Sequence, residues 1–260
     1  MRKPKLLRAA YRILLPLILS RISNLPRLVG AYQSFFSDWR RFVSLGGVAA
    51  PEEFTLFLGD KGSESQGGGH PYFYQDIWAL HKLAMFHPVE HHDIGSRLDG
   101  FVGQATVLSK ISFWDIRPPA VKLPGFEYRY GSILEMPIPS WSVESLSCLH
   151  TIEHIGLGRY GDPIDPRGTE KALVELSRIL APGGQLLLSC PIGRERVCFN
   201  GQRILDPRRA IDSLSDLTFL EFSVIGDLES GNYPFHAKAR PEDFIKAKEA
   251  LGLYVFTRKR

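Results

Sequence analysis

Residues 143–192 constrain the fold of this 260-residue chain more than any other stretch. A short apolar strand, Ser145-Leu-Ser-Cys-Leu149, runs into His150-Thr-Ile-Glu-His154 and a glycine-rich loop. A helix follows from Thr169 to Leu180, then Ala181-Pro-Gly-Gly184 and the apolar strand Gln185-Leu-Leu-Leu-Ser-Cys-Pro191. Strand, polar loop, helix, Pro-Gly-Gly turn and buried strand make up half of a nucleotide-type α/β fold. Open parallel sheets bind ligands at the carboxyl ends of their strands, so the polar cluster after Leu149 marks the expected site.

The rest of the chain extends the alternation. Strands are expected at Val89–Gly95, Lys110–Arg117, Phe126–Ser132, Ser142–His150, 185–191, Thr218–Gly226 and Leu253–Thr257. Helices are expected at Tyr74–His87, Phe101–Ser109, 169–180, Pro207–Ser215 and Pro241–Ala250. This predicts an α/β, Rossmann-like, doubly wound and mostly parallel sheet of about seven strands. In front of it, residues 1–45 read as one or two helices broken near Asn24-Leu-Pro26, and 59–71 as a Gly/Ser-rich linker. The expected domains are 1–70, a basic helical extension with its linker, and 71–260.

Charge is unevenly spread. Nine basic residues face only Asp38 in residues 1–50, so a net +4 chain carries about +8 in its first fifth. Ile13–Leu19 is far too short to span a bilayer and lacks a cleavage signal, so a packed helical extension is the first expectation. Peripheral contact of residues 1–41 with an anionic membrane is the second. Nucleic acid is not favoured, because regular aromatic interleaving is missing. Cys148, Cys190 and Cys198 show neither metal-ligand spacing nor a disulfide framework, which points to a reducing, cytoplasmic setting.

Four segments carry a resemblance: His92-Asp-Ile-Gly-Ser-Arg-Leu-Asp-Gly100, Trp114-Asp-Ile-Arg117, Cys148 through Asp162, and Leu180-Ala-Pro-Gly-Gly184. In this order and spacing, residues 71–260 resemble the class I S-adenosylmethionine-dependent methyltransferases, most closely a subgroup known as domain of unknown function 268. The resemblance implies S-adenosylmethionine as cofactor. It would be held by Asp93, Gly95, Ser96, Arg97 and Gly100 after the first strand, by Asp115 at the ribose and by Ser132 and Ile133 at the adenine. Taken singly, Gly95 reads equally as a plain turn and Asp115 as a helix cap. Arg97 and Asp99 occupy two positions where the family has glycine, so the loop must take another path or binding is weakened.

The loop after the fourth strand carries the expected chemistry. His154 is the first candidate for a general base, His150 the second, with Glu153 orienting one of them; the alternative is that both histidines pin the loop through hydrogen bonds. Arg159, Tyr160, Asp162 and Asp165, facing Arg194, Arg196, Asn200 and Arg203, suit a small polar, glycan or nucleotide-sugar acceptor, unless the arginines are solvated surface charge. Two motif matches mislead. Gly156-Leu-Gly-Arg-Tyr-Gly161 fits a dinucleotide fingerprint, but Asp162-Pro-Ile-Asp-Pro166 bars the required helix. His150-Thr-Ile-Glu-His154 fits an inverted zinc-protease spacing, but Gly156 and Gly158 cut the helix short, and no metal is expected. The expected activity is methyl transfer; the rival is a catalytically silent binding or scaffold protein on the same fold.

Overall fold

The computed structural model describes residues 25–49, 54, 70–226 and 233–260. Residues 1–24, with the Ile13–Leu19 run, and the linker over 59–69 lie outside these. The chain divides into two units, residues 1–66 and 67–260. In the first, helix α1 (Leu25–Ser44) starts beside the expected break, with Pro26 in its first turn, where a missing N–H costs nothing. Phe35, Phe36 and Trp39 gather around Phe54, and the Trp39 indole donates to the Ala49 carbonyl at 3.1 Å. Among the described residues no helix is long and apolar enough to cross a membrane.

The second unit opens with α2 (Pro71–Phe86). Its N-terminus is capped by the His70 ring, which accepts from the Tyr72 N–H, and it ends at His87 in the left-handed region. Gln75, Trp78, Ala79 and Leu83 recur at helical spacing and form its buried face. The sheet follows: β1 (Glu90–Ile94), β2 (Lys110–Asp115), β3 (Phe126–Tyr130), β4 (Val143–Leu149) and β5 (Leu180–Ile192). Between them lie the short helix α3 (Gly103–Ala105) and α4 (Gly168–Ile179). Then come β6 (Arg196–Cys198), β7 (Gln202–Ile204), α5 (Arg209–Ser213), β8 (Thr218–Ile225), β9 (Phe235–His236) and β10 (Ala250–Thr257).

The main sheet has eight strands among the described residues, in the order β3-β2-β1-β4-β5-β10-β8-β9. β1 to β5 run parallel, whereas β10 is antiparallel to both its neighbours. The central strands are buried on both faces, which explains their unbroken apolar runs. Leu146, Cys148, Leu186 and Leu188 face α4 through Ala172, Leu173, Leu176 and Ile179. Leu149, Leu187, Leu251, Leu253 and Val255 share the other layer with Trp78, Ala79 and Leu83 of α2.

Several expected elements come out differently. The helix Phe101–Ser109 is replaced by a wide π-type turn, Leu98–Val102, running into α3. Gly100 is non-helical within it, because its bare backbone packs against the Asp76 carboxylate. The helix Pro241–Ala250 is a single turn, Pro241–Phe244. Beyond it, the Ala247 and Lys248 carbonyls accept from the Arg194 N–H and the Arg196 guanidinium, and Ala250 joins the sheet. The helix Pro207–Ser215 is shortened to Arg209–Ser213. Ala181-Pro-Gly-Gly184 is no free turn but the bulged start of β5, since Gly184 lies against three backbone carbonyls that leave no room for a Cβ. The β6–β7 hairpin was not expected at all.

Candidate active site

The strand order reverses between β1 and β4, and a cavity of about 270 Å³ opens there at their carboxyl ends. Gly95 turns the chain at the end of β1 with φ of +72°, and a Cβ there would meet the Thr151 side chain at 2.7 Å. Asp93 stands below this turn, fully buried. Its carboxylate accepts from the Ser96 N–H at 3.0 Å, the Ser96 hydroxyl at 2.7 Å and the adjacent Ser147 hydroxyl. Burial pushes Asp93 up to about 6. His91 continues this polar seam through Ser145 and Ser147 at 2.7 and 2.8 Å, and burial pushes it down to about 3. Asp93 therefore braces the loop from beneath, and Ser96 forms part of the cavity wall.

At the two positions where the resemblance expects glycine, Arg97 lines the cavity and Asp99 does not. Arg97 pairs with Asp99 at 3.0 and 2.7 Å on the exposed side, and its guanidinium lies 4.6 Å from the centroid of the Tyr72 ring. The cavity stays open behind them. Gly100 does not reach it. Asp115 does, at the end of β2, but both its oxygens accept from the Arg117 guanidinium, at 3.0 and 2.9 Å. Arg117 in turn stacks on Tyr160 at 4.3 Å. Ser132, Ile133, Trp114 and Ile116 complete this end. Gly131 is glycine for a steric reason, since a Cβ would meet the Trp114 ring at 2.9 Å.

The opposite end is built by the loop after β4. His150 takes φ of +54°, which swings its ring toward α2. Its Nδ1 donates to Gln75 Oε1 at 3.0 Å, and its ring lies 4.7 Å from that of Tyr72. His154 donates from Nδ1 to the Gly201 carbonyl at 2.7 Å. Both tautomers are thus set by oxygens that can only accept, leaving each Nε2 unprotonated. Burial pushes His150 down to about 3 and also lowers His154. Glu153 lies between the two, with Oε1 at 3.9 Å from His150 Nε2 and 3.6 Å from His154 Nε2. It is fully buried, neither oxygen has a hydrogen-bond partner, and burial pushes it up to about 8.

Tyr160 and Asp162 also face the cavity. Asp162 folds its loop by accepting from the N–H groups of Gly156 and Gly158, at 2.5 and 3.4 Å, and of Tyr160 at 3.4 Å. Arg159 stacks on Tyr160 at 5.0 Å and donates to Gly201 at 3.1 Å. The remaining expected contacts lie elsewhere. Asp165 pairs with Lys171 at 2.6 Å. Arg203, only 7% exposed, spends its guanidinium on the carbonyls of Ile155, Asp165 and Pro166. Arg194 and Asn200, on and beside the β6–β7 hairpin, do not line the cavity. Tyr72, Arg117 and Thr151 do line it and were not foreseen. Arg117 was in view only as the end of the Trp114-Asp-Ile-Arg117 segment, whereas nothing in the sequence ties Tyr72 to residues 78 positions away.

The motif matches resolve in the same geometry. Gly156–Gly161 is a run of turns, and α4 begins only at Gly168. Ile152–His154 forms one tight turn, so the two histidines do not share a helical face. No group of three or more His, Cys, Asp or Glu among the described residues is arranged to hold a metal ion.

A parallel sheet reversed at β1/β4, with an antiparallel strand inserted between β5 and β8, defines the class I methyltransferase fold. The N-methyltransferase NodS from Bradyrhizobium japonicum WM9, solved with S-adenosylhomocysteine, superposes with a TM-score of 0.53 at 14% identity, over 74% of this chain and 90% of that one. A phosphoethanolamine N-methyltransferase 2 of Haemonchus contortus gives 0.50 at 12% identity, over 72% and 53%. At such identities the likeness is one of fold. Residues 141–224 match the family described as a Caenorhabditis protein of unknown function, DUF268, so the chain is a methyltransferase-fold protein carrying a DUF268 region. No curated protein matches its sequence.

Proposed function

We propose that the chain is an S-adenosylmethionine-dependent methyltransferase for a small polar acceptor bearing negative charge, of the glycan or nucleotide-sugar kind. The observation that carries this reading is the continuity of the cavity, which runs from Asp115 and Ile133 to His154 without a break. The residues suit the cofactor. Asp115 can accept from ribose hydroxyls, Ile116, Ile133 and Leu134 offer an apolar wall for a purine, and Gly95 leaves the backbone bare. When bound, the cofactor supplies a methyl group already activated by its sulfonium, so the chain's task is alignment and proton removal.

His154 is the residue for that removal, because its unprotonated Nε2 is the ring's free nitrogen and its Nδ1 is held by Gly201. Such a base contributes ~10²–10⁴ in rate. Arg159 has no carboxylate partner among the described residues, and it stacks on Tyr160, which lines the cavity. That arrangement favours an acceptor with a phosphate or carboxylate.

One observation favours the silent-scaffold reading, namely that Arg117 already occupies both oxygens of Asp115. Calorimetric titration with S-adenosylmethionine and S-adenosylhomocysteine separates the two. Binding that weakens at least about tenfold in Asp115→Ala supports the enzyme, since charged hydrogen bonds contribute roughly 1.5–3 kcal/mol each. Folded protein that binds neither ligand overturns it.

A further inference from the structure

Four carboxyl groups stand in or behind the cavity wall, and three are already engaged. Asp115 is held by Arg117, Asp162 by three loop N–H groups, and Asp93 by Ser96 and Ser147. Glu153 alone is fully buried with both oxygens unpartnered. It lies directly behind His150 and His154, which themselves face the cavity. A buried acid without partners is costly to ionise unless a positive charge arrives beside it.

The proposed cofactor and its product differ by one methyl group and one positive charge. Resting on the reading above, we propose that Glu153 is the counter-charge for the sulfonium: the cavity takes S-adenosylmethionine with loss of the Glu153 proton, and S-adenosylhomocysteine without it. The carboxyl O–H bond breaks, the proton passes to His154 Nε2, and from there it leaves to solvent; no other bond changes. The neutral product then loses the electrostatic hold that the donor enjoyed.

The surroundings of Glu153 keep its proton in place until then. His150 and His154 flank it, Tyr72 faces it from α2, and Cys148 and Cys190 face it from β4 and β5. Burial holds all three of Tyr72, Cys148 and Cys190 in their neutral forms at neutral pH. The backbone N–H of Glu153 itself and, after it, Arg159 pull Glu153 toward ionisation, and burial outweighs both.

The test is calorimetry of the full chain at pH 6.5, where the ligands' own amino groups stay protonated, in two buffers of different ionisation enthalpy. The expected result is release of close to one proton per S-adenosylmethionine bound and none per S-adenosylhomocysteine. The ratio of the two affinities rises about tenfold per pH unit from pH 5.5 to 7. Glu153→Gln abolishes the release and flattens the ratio while leaving S-adenosylhomocysteine affinity within about twofold. In the wild-type protein, the infrared band of a protonated carboxyl disappears with S-adenosylmethionine and persists with S-adenosylhomocysteine, which tests the same point should the variant not fold. Equal proton counts for the two ligands, or release persisting in folded Glu153→Gln, overturns the proposal and leaves the methyltransferase reading standing. Failure of both ligands to bind removes that reading first.

Discussion

Under the function proposed above, Arg117 and Asp115 form the pair on which cofactor entry turns. A diol approaching Asp115 has to displace a guanidinium, yet that guanidinium is half exposed, with a side-chain exposure of 51%, so solvent already weakens the pair. Arg117→Gln is accordingly expected to tighten S-adenosylmethionine binding two- to fivefold in a titration, whereas Asp115→Ala weakens it. The place of Asp115 at the end of the second strand was legible in the sequence, but its use was not, since an acid there reads equally as a helix cap. Nor was the role of Arg203. A sequence displays its charge but not the carbonyls of Ile155, Asp165 and Pro166 that surround it. Removing it in Arg203→Met orphans those carbonyls and should cost about 3 kcal/mol, seen as a lowered unfolding midpoint.

At the level of elements, the loop after β4 is shaped by what presses on it. Gly156 has φ of +84°, and a Cβ there would run into the Asp165 carbonyl. Gly156→Ala should therefore cost ~1–3 kcal/mol through backbone strain, and the same denaturation measurement checks it. The hairpin of β6 and β7 holds the other side, since Gly201 between its strands accepts from both His154 and Arg159. Long apolar strands such as β5 and the amphipathic helix α4 were readable from periodicity alone. The hairpin strands are three residues each and carry Arg, Cys and Gln, too short and too polar to register as a pattern. The expected helix over Pro241–Ala250 failed for a complementary reason. Its composition allows a helix, but β5 offers Ala250 and its successors a full ladder of partners.

Across the whole molecule, four of the buried titratable groups among the described residues shape how stability varies with pH. His91 and His150 are neutral in the fold, lowered from 6.5 to about 3, so their contribution is present above 6.5 and is lost as pH falls. Asp93 and Glu153 are raised, from 3.8 to about 6 and from 4.5 to about 8, so theirs is present at low pH and is lost as pH rises. Between pH 4.5 and 6 the two pairs oppose each other and stability is nearly flat. From pH 6.5 to 8 Glu153 acts alone among the four, and stability should fall by about 2 kcal/mol. Urea denaturation across this range should show the decline, and Glu153→Gln should remove it.

β10 is the last of the eight strands in chain order, yet it lies inside the sheet, between β5 and β8. During synthesis on a ribosome, β5 and β8 must both wait with open edges until Thr257 clears the exit tunnel, because nothing earlier in the chain occupies that slot. From the completion of β5 at Ile192 until β10 arrives, the nascent chain is therefore exposed to unwanted edge pairing. Its capture by chaperones should persist through β8 and end only when this one strand slides home.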